Sequence, residues 1–129
     1  MTGRFLLDTS VAIALLRNEP TVRSAVGTAE QIILPSIAVG ELFYGALISA
    51  KSEANRLLVE NFVVGAVVLD CDRQTARYFA FIKMQLRAKG RPIPENDIWI
   101  AAVALQHQLT LVTRDAHFKE VEPLSIVKW

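Results

Sequence analysis

Four acidic side chains lie far apart in the sequence, and each adjoins a hydrophobic segment: Asp8, Glu41, Asp97 and Asp115. If they met at one place, their carboxylates would repel one another and raise one another's pKa unless a divalent cation neutralised them. Oxygen ligands without a neighbouring cysteine favour magnesium or manganese over zinc. Such a site suits the hydrolysis of phosphodiesters, because the metal can activate a water molecule and stabilise charge on the phosphate.

Each of these acids also has an ordinary structural explanation. Asp8 is a residue type that caps helices, Asp97 can interact with a helix dipole, and Asp115 can form a turn or cap a short helix. Glu41 is harder to explain in this way, because apolar residues on both sides of it predict an enclosed helix. A buried carboxylate needs a cation, which is either an arginine, a lysine or a metal.

Small polar residues next to the acids are suited to hold a carboxylate or a water molecule through hydrogen bonds. These supporting candidates are Thr9, Ser10, Asn96 and Thr113. None of them has to react, because a metal-activated water needs no nucleophilic side chain.

The elements that must position the acids alternate between strands and helices. Apolar runs predict strands at Phe5–Leu7, Gln31–Leu34, Val67–Leu69, Leu109–Thr113 and Leu124–Val127. Helices are predicted at Val11–Leu16, after Pro20, from Ile37, at Glu53–Phe62, at Arg73–Lys89 before Gly90, and from Glu95 or Asn96. This alternation predicts a three-layer α/β domain with a central, mostly parallel sheet flanked by helices. Because ligands gather outside the carboxyl ends of such strands, we expect the acids at one rim.

Length and composition limit the alternatives. The 129 residues fit one domain, residues 1–129, and 52% hydrophobic content predicts a buried sheet and an oligomer interface. No apolar run approaches the roughly 18 residues of a membrane span, and the lone Cys71 favours a reducing cytoplasm. A net charge of +1 excludes a broad electrostatic footprint for nucleic acid, so any such contact needs a local basic patch.

Four segments together resemble a known family, and they contain all four acids. They are Leu-Leu-Asp-Thr-Ser at 6–10, Ser-Ile-Ala-Val-Gly-Glu-Leu-Phe-Tyr-Gly at 36–45, Ile-Pro-Glu-Asn-Asp-Ile-Trp-Ile-Ala-Ala at 93–102 and Leu-Val-Thr-Arg-Asp-Ala-His-Phe at 111–118. In order and spacing they resemble the PIN domain, in particular the VapC-type toxins of bacterial toxin-antitoxin pairs. The resemblance covers essentially the whole chain.

The resemblance implies a magnesium- or manganese-dependent endoribonuclease that cleaves RNA. Its catalytic acids would fall on Asp8, Glu41, Asp97 and Asp115, with Thr9 or Ser10 and Thr113 assisting. It further implies a homodimer and inhibition by a VapB-like antitoxin, which reaches into a groove and often places an arginine among the acids. For Phe43 and Tyr44, which are compatible with such a groove, we favour a buried core role.

Three cations precede the segment with Asp97, namely Arg87, Lys89 and Arg91. Our hypothesis is that they bind RNA phosphates beside the metal, which positions the RNA without specifying its sequence. A solvated helix end explains them equally well.

Other classes of protein match less well. Asp70 and Asp72 after a strand resemble the paired aspartates of haloacid-dehalogenase-type phosphatases, but Gln74 replaces the small residue expected there, so helix capping is favoured. A receiver-like domain needs an acidic pair by the first strand, where Asp8 stands alone. A non-catalytic PIN-like scaffold or RNA-binding module remains the main alternative.

The two histidines, His107 and His117, lack zinc-ligand spacing. Surface or capping roles are therefore expected for both. Cys71 is expected to be a small buried apolar residue.

Overall fold

A five-stranded parallel sheet forms the centre of the protein in the computed structural model, which describes residues 4–27 and 31–129. The strands are β1 (Phe5–Leu7), β2 (Ile33–Pro35), β3 (Val67–Leu69), β4 (Thr110–Val112) and β5 (Ile126–Val127). They lie in the order β3-β2-β1-β4-β5, and every neighbouring pair is parallel. The predicted α/β fold with a parallel sheet is therefore confirmed.

Helices cover both faces of this sheet. They are α1 (Thr9–Leu16), α2 (Pro20–Val26), α3 (Ser36–Leu47), α4 (Ser52–Val64), α5 (Arg73–Lys89), α6 (Glu95–Gln106) and a short 3-10 helix (Ala116–Glu120). Within the described residues, none of these helices is long and apolar enough to cross a lipid bilayer.

Alternating side chains of the strands divide the core into two halves. Leu6, Ile33 and Leu111 point to one face, where they pack with α5, α6 and Phe118. The next residue of each strand points to the other face and packs with α1, α2, α4 and most of α3. This alternation is the period of two that a strand imposes, and it produces the predicted three layers.

Several boundaries differ from the prediction. Helix α1 begins at Thr9 rather than Val11, because Asp8 is its N-cap. Pro35 ends β2 instead of following it, since its φ of −76° and ψ of 145° are extended, and α3 starts at Ser36. The last strand is limited to Ile126–Val127, shorter than predicted.

Helix α5 begins and ends where the sequence predicts. Asp72 caps it in a reciprocal pair with Thr75, and Gly90 ends it with a left-handed φ of 65°, which glycine adopts at little cost. The sequence predicted Asp70 or Asp72 as the cap, and the structure shows that it is Asp72. Cys71 beside it is half-buried rather than fully buried, and burial raises the pKa of its thiol.

Helices α5 and α6 are antiparallel neighbours. The beginning of α5 contacts the end of α6, where the Thr75 hydroxyl donates to Gln106 Oε1. Near the other ends, Lys83 Nζ lies 2.6 Å from Glu95 Oε2. The end of α5 is therefore close to the beginning of α6, which carries Asp97.

Candidate active site

Asp8 lies at the point where the chain directions diverge, between the carboxyl ends of β1 and β4. Its backbone N–H donates to Val112 O at 3.1 Å, so it directly extends the pairing of these strands. Its side chain accepts from the Val11 N–H at 2.9 Å and from the Thr113 hydroxyl at 2.6 Å, and the residue is only 2% exposed. This junction is where open parallel sheets bind their ligands.

Glu41 reaches the same region from α3. The Thr9 hydroxyl donates to Glu41 Oε1 at 2.6 Å, which connects the start of α1 to the middle of α3. The apolar residues around Glu41 predicted an enclosed helix, but Glu41 is only half-buried, whereas Asp8 is buried. Helix α3 turns only one side, with Leu42 and Ala46, into the core.

Asp97 and Asp115 approach each other from different elements. Asp97 lies in the first turn of α6, as predicted, and Asp115 precedes the 3-10 helix after β4. The backbone N–H of Asp115 donates to the Thr113 hydroxyl oxygen at 3.0 Å. Thr113 thus connects two of the acids, because the same hydroxyl donates to Asp8.

His117 lies among these acids, a position that the sequence did not predict, and its side chain is 34% exposed. Its Nε2 atom is 3.0 Å from Asp97 Oδ2. One ligand atom from each of Asp97, Asp115 and His117 lies within 4.8 Å of the others. The sequence carries only a weak signal for His117 at this site. It reaches the acids because the turn after Asp115 brings it back towards them.

The charges of the four acids are close enough to affect the pKa values within the site. Burial raises the pKa of Asp8, and the charge of Asp115 raises it further, while the hydrogen bonds from Thr113 and Val11 lower it. Burial also raises the pKa of Asp97; His117 lowers that pKa, and the charges of Asp115, Glu41 and Asp8 raise it. The structure therefore brings the four predicted acids close enough for mutual repulsion.

Of the other predicted site residues, some contact the acids and others do not. Thr9 and Thr113 hold acids, whereas Ser10 and Asn96 are exposed and have no side-chain hydrogen bond within residues 4–27 and 31–129. The three predicted RNA-binding cations are exposed around the end of α5: Arg87, Lys89 and Arg91.

One of these cations is already engaged. Lys89 Nζ donates to Glu120 O at 2.7 Å and lies 3.5 Å from Glu122 Oε1. Arg87 and Arg91 have no ion pair with any residue that the structure describes. These two are therefore the freer cations.

A groove of about 290 Å³ adjoins Glu41 and runs between α1, α3 and α4. Its walls include Ile13, Leu16, Leu42, Ala46 and Leu58. Tyr44 on α3 is 65% exposed, so the expectation of a buried role was wrong for it, while Phe43 is half-buried against the core.

The parallel sheet and the acidic junction define a PIN domain, and the PIN domain family matches residues 5–123. The chain belongs to this family. It is 34% identical to ribonuclease VapC2 of Haemophilus influenzae and 33% identical to tRNA(fMet)-specific endonuclease VapC of Shigella flexneri, with 98% of each chain covered in both comparisons. Its fold matches the crystal structure of DNA-bound VapBC from Salmonella typhimurium, with a TM-score of 0.92, 32% identity and 99% of each chain covered.

Proposed function

We propose that this chain, as a single domain of residues 1–129, is a metal-dependent endoribonuclease and the toxin of a VapBC-type toxin-antitoxin pair. The observation that supports the activity most directly is that Asp8, Glu41, Asp97 and Asp115 lie close together at the junction of β1 and β4. This cluster occurs in a PIN domain whose relatives include named VapC ribonucleases. The proposed roles of these four residues are to hold the metal and position the reacting groups.

The residues at the site fit a divalent cation. Asp97 and Asp115 present ligand atoms at compatible distances, and the raised pKa of Asp8 and of Asp97 reflects repulsion and burial that a cation would offset. Carboxylate oxygens are the ligands that magnesium and manganese prefer, so we propose Mg²⁺ or Mn²⁺. When bound, such an ion supplies a charge that promotes attack by water and stabilises the phosphate.

The chain's own side chains hold the acids in fixed positions. Asp8 is fixed through both carboxylate oxygens, one to the Val11 N–H and one to the Thr113 hydroxyl. Thr9, the residue after Asp8, fixes Glu41 through its hydroxyl. A site whose groups are already oriented needs little reorganisation when charge develops on the phosphate, which is how such sites accelerate reactions.

The test of this function is cleavage of single-stranded RNA by the purified full-length chain. We expect cleavage with magnesium or manganese, none with EDTA, and none for Asp97→Asn although its circular dichroism spectrum is unchanged. Glu95→Gln is the matched control in the same helical turn, because Glu95 pairs with Lys83 outside the acid cluster. Cleavage that persists in EDTA would contradict the proposal.

A VapB-like antitoxin is the proposed partner, and its proposed contact is the groove beside Glu41. The solved structures of relatives include VapBC complexes. A segment with apolar residues would fill the groove, and an arginine from it would pair with the acids at its end. Because the substrate is RNA, we place the activity in the cytoplasm, in keeping with the lone Cys71.

A homodimer is also proposed, and it is supported by three exposed hydrophobic side chains on and just after α3: Tyr44, Leu47 and Ile48. A contiguous apolar surface of this kind commonly marks a protein interface. Sedimentation at micromolar concentration should find the dimer, and a monomer throughout would contradict it.

The competing function is a non-catalytic PIN-like scaffold or RNA-binding module. Loss of one or more acids would favour it, whereas all four are present and close together. Growth distinguishes the two functions. Expression of the toxin should arrest growth, co-expression of its antitoxin should restore growth, and Asp97→Asn should be harmless; a scaffold predicts no arrest.

A further inference from the structure

His117 is a member of the acid cluster for which the proposed nuclease gives no role. It is the second residue of the 3-10 helix after Asp115, and the next residue, Phe118, is fully buried in the core. The His117 and Phe118 rings are in contact, with centroids 4.7 Å apart. The imidazole is therefore held at the site by a well-anchored element.

The Nε2 atom of His117 is buried and makes no hydrogen bond with any residue that the structure describes. It lies 3.0 Å from Asp97 Oδ2, but the atoms are not aligned as a hydrogen-bonded pair. A buried nitrogen without such a bond costs free energy, and native proteins contain few of them outside functional sites. Its burial and its short distance from the carboxylates suit an atom whose partner is an ion.

The distances at the site are close to those of ligands around one cation. The ligand atoms of Asp97, Asp115 and His117 lie within 4.8 Å of one another. Around an octahedral ion with ligands at about 2.1 Å, neighbouring ligand atoms are about 3 Å apart and opposite ones about 4.2 Å apart. The three side chains therefore need only small adjustments to bind one ion together.

We propose that His117 Nε2 is a direct nitrogen ligand of the divalent cation held by Asp97 and Asp115. This inference rests on the proposed function, because it concerns the same metal site. It adds a donor of a different chemical type to a set that otherwise consists of carboxylates. An imidazole nitrogen is a softer donor than oxygen, and magnesium strongly prefers oxygen. The site therefore selects Mn²⁺ over Mg²⁺.

The experiment uses the full chain, freed of metal with EDTA and then loaded with one equivalent of Mn²⁺. Pulsed electron paramagnetic resonance detects the magnetic coupling of a nitrogen nucleus bound directly to Mn²⁺. The chain contains only two histidines, and His107 lies at the opposite end of α6 from Asp97. His107→Gln is therefore the matched control for His117→Gln.

We expect directly bound nitrogen in the wild type and in His107→Gln, and its loss in His117→Gln together with a Kd for Mn²⁺ that is about tenfold weaker. A second variant, His117→Glu, restores an oxygen donor. We expect it to bind Mn²⁺ without the nitrogen coupling and to lower the preference for Mn²⁺ over Mg²⁺, measured as the ratio of the two Kd values by calorimetry.

Three results would overturn the inference. His117 is rejected as a ligand if the wild type binds Mn²⁺ without nitrogen coupling. It is also rejected if the coupling persists in both His117 variants. If RNA cleavage still requires Mn²⁺ in either case, the proposed nuclease function stands. A wild-type chain that binds Mg²⁺ but no Mn²⁺ rejects the ligand alone, and one that binds neither ion rejects the ligand and the metal-dependent function together.

Discussion

Two aspartates in this chain make the same local contact in different surroundings. Asp8 follows β1 and caps α1, and Asp72 follows β3 and caps α5. Each accepts a hydrogen bond from the backbone N–H three residues later, at 2.9 Å for Asp8 and 3.0 Å for Asp72. By local geometry alone, both are helix N-caps.

Their electrostatics are opposite. Burial raises the pKa of Asp8, and the charge of Asp115 adds to that effect. Asp72 is exposed, and hydrogen bonds from the backbone of Thr75 and the side chain of Gln106 lower its pKa. The carboxylate of Asp72 is thus stabilised by folding, whereas folding makes the carboxylate of Asp8 less favourable.

This difference separates a structural cap from a candidate catalytic acid. A cap that serves only its helix gains from staying charged and solvated, as Asp72 does. Asp8 is kept close to other carboxylates at a cost to the metal-free protein, which is the pattern expected where charge serves binding or catalysis. The comparison therefore gives paired variants in which one member tests function and the other tests the cap.

The largest expected effect is on cleavage by the two aspartate variants. Asp8→Asn should lower the rate of RNA cleavage at least about 100-fold, because a metal ligand contributes several kcal/mol and each 1.4 kcal/mol is about tenfold. Asp72→Asn should change the rate less than about twofold, since its partners lie outside the acid cluster. A single-turnover assay under saturating Mg²⁺ measures both. Equal losses in the two variants would remove the distinction between them.

A smaller effect is expected for the hydroxyls that accompany the two caps. Thr113 donates to Asp8 at 2.6 Å and accepts from the Asp115 N–H, whereas Thr75 supports Asp72. Thr113→Val should lower cleavage about tenfold to 100-fold, as loss of a group that orients a metal ligand typically does. Thr75→Val should lower the melting temperature but leave the cleavage rate of the folded protein intact. The idea fails if Thr75→Val has the larger effect on cleavage.

The pH dependence of stability should have opposite signs at the two sites. With its pKa raised from 3.8, Asp8 makes the folded, metal-free chain hold a proton more tightly than the unfolded chain does. Asp8 therefore stabilises the protein below its unfolded pKa, and this stabilisation is lost as the pH rises through the folded pKa. Asp72, with a lowered pKa, contributes stability above its unfolded value that is lost as the pH falls through its folded pKa.

Thermal unfolding in EDTA from about pH 3 to about pH 7 measures this difference. Relative to the wild type, Asp8→Asn should gain a few °C towards neutral pH and nothing at acidic pH, whereas Asp72→Asn should lose a few °C at neutral pH. Saturating Mg²⁺ should remove the advantage of Asp8→Asn. Because asparagine can still cap the helix, a lower melting temperature for Asp8→Asn at every pH would show that the hydrogen bond from Thr113 to the carboxylate outweighs the repulsion.

The comparison also explains what sequence could predict. Hydrophobic periodicity predicted the strands and helices, and residue type was enough to expect a cap at Asp70 or Asp72. The cap is Asp72, whose partner Thr75 is only three residues away. The environment of Asp8 depends on Thr113, which lies 105 positions later, so no local pattern distinguishes the two aspartates. For the four acids, the family resemblance supplied the grouping that local signals left open, and their catalytic roles stay predictions.

His117 and Tyr44 illustrate the remaining limits. His117 reaches Asp97 across 20 positions of sequence only because the 3-10 helix turns it back towards the site. Tyr44 is aromatic and lies in an apolar segment, yet it faces away from the core because Leu42 and Ala46 occupy the buried side of α3. Both depend on the direction in which an element faces, which composition does not determine.

The smallest expected effect is on RNA binding, and it should differ between the arginines at the two ends of α5. Arg87 and Arg91 lie near the start of α6 and Asp97, whereas Arg73 and Arg77 lie near the end of α6, beyond a 17-residue helix about 25 Å long. If the first pair binds RNA phosphates, the Arg87→Ala, Arg91→Ala double variant should bind RNA a few-fold to tenfold more weakly. Because each lost contact with a single strand removes about 0.7 from the salt slope, that slope should fall by about 1.4.

Binding is measured by fluorescence anisotropy with Asp97→Asn as the background, which prevents cleavage. The control variant, Arg73→Ala with Arg77→Ala, should bind RNA as the background does. An unchanged salt slope in the first variant would reject the contact, and equal losses in both would indicate a diffuse charge effect instead of a phosphate site beside the acids.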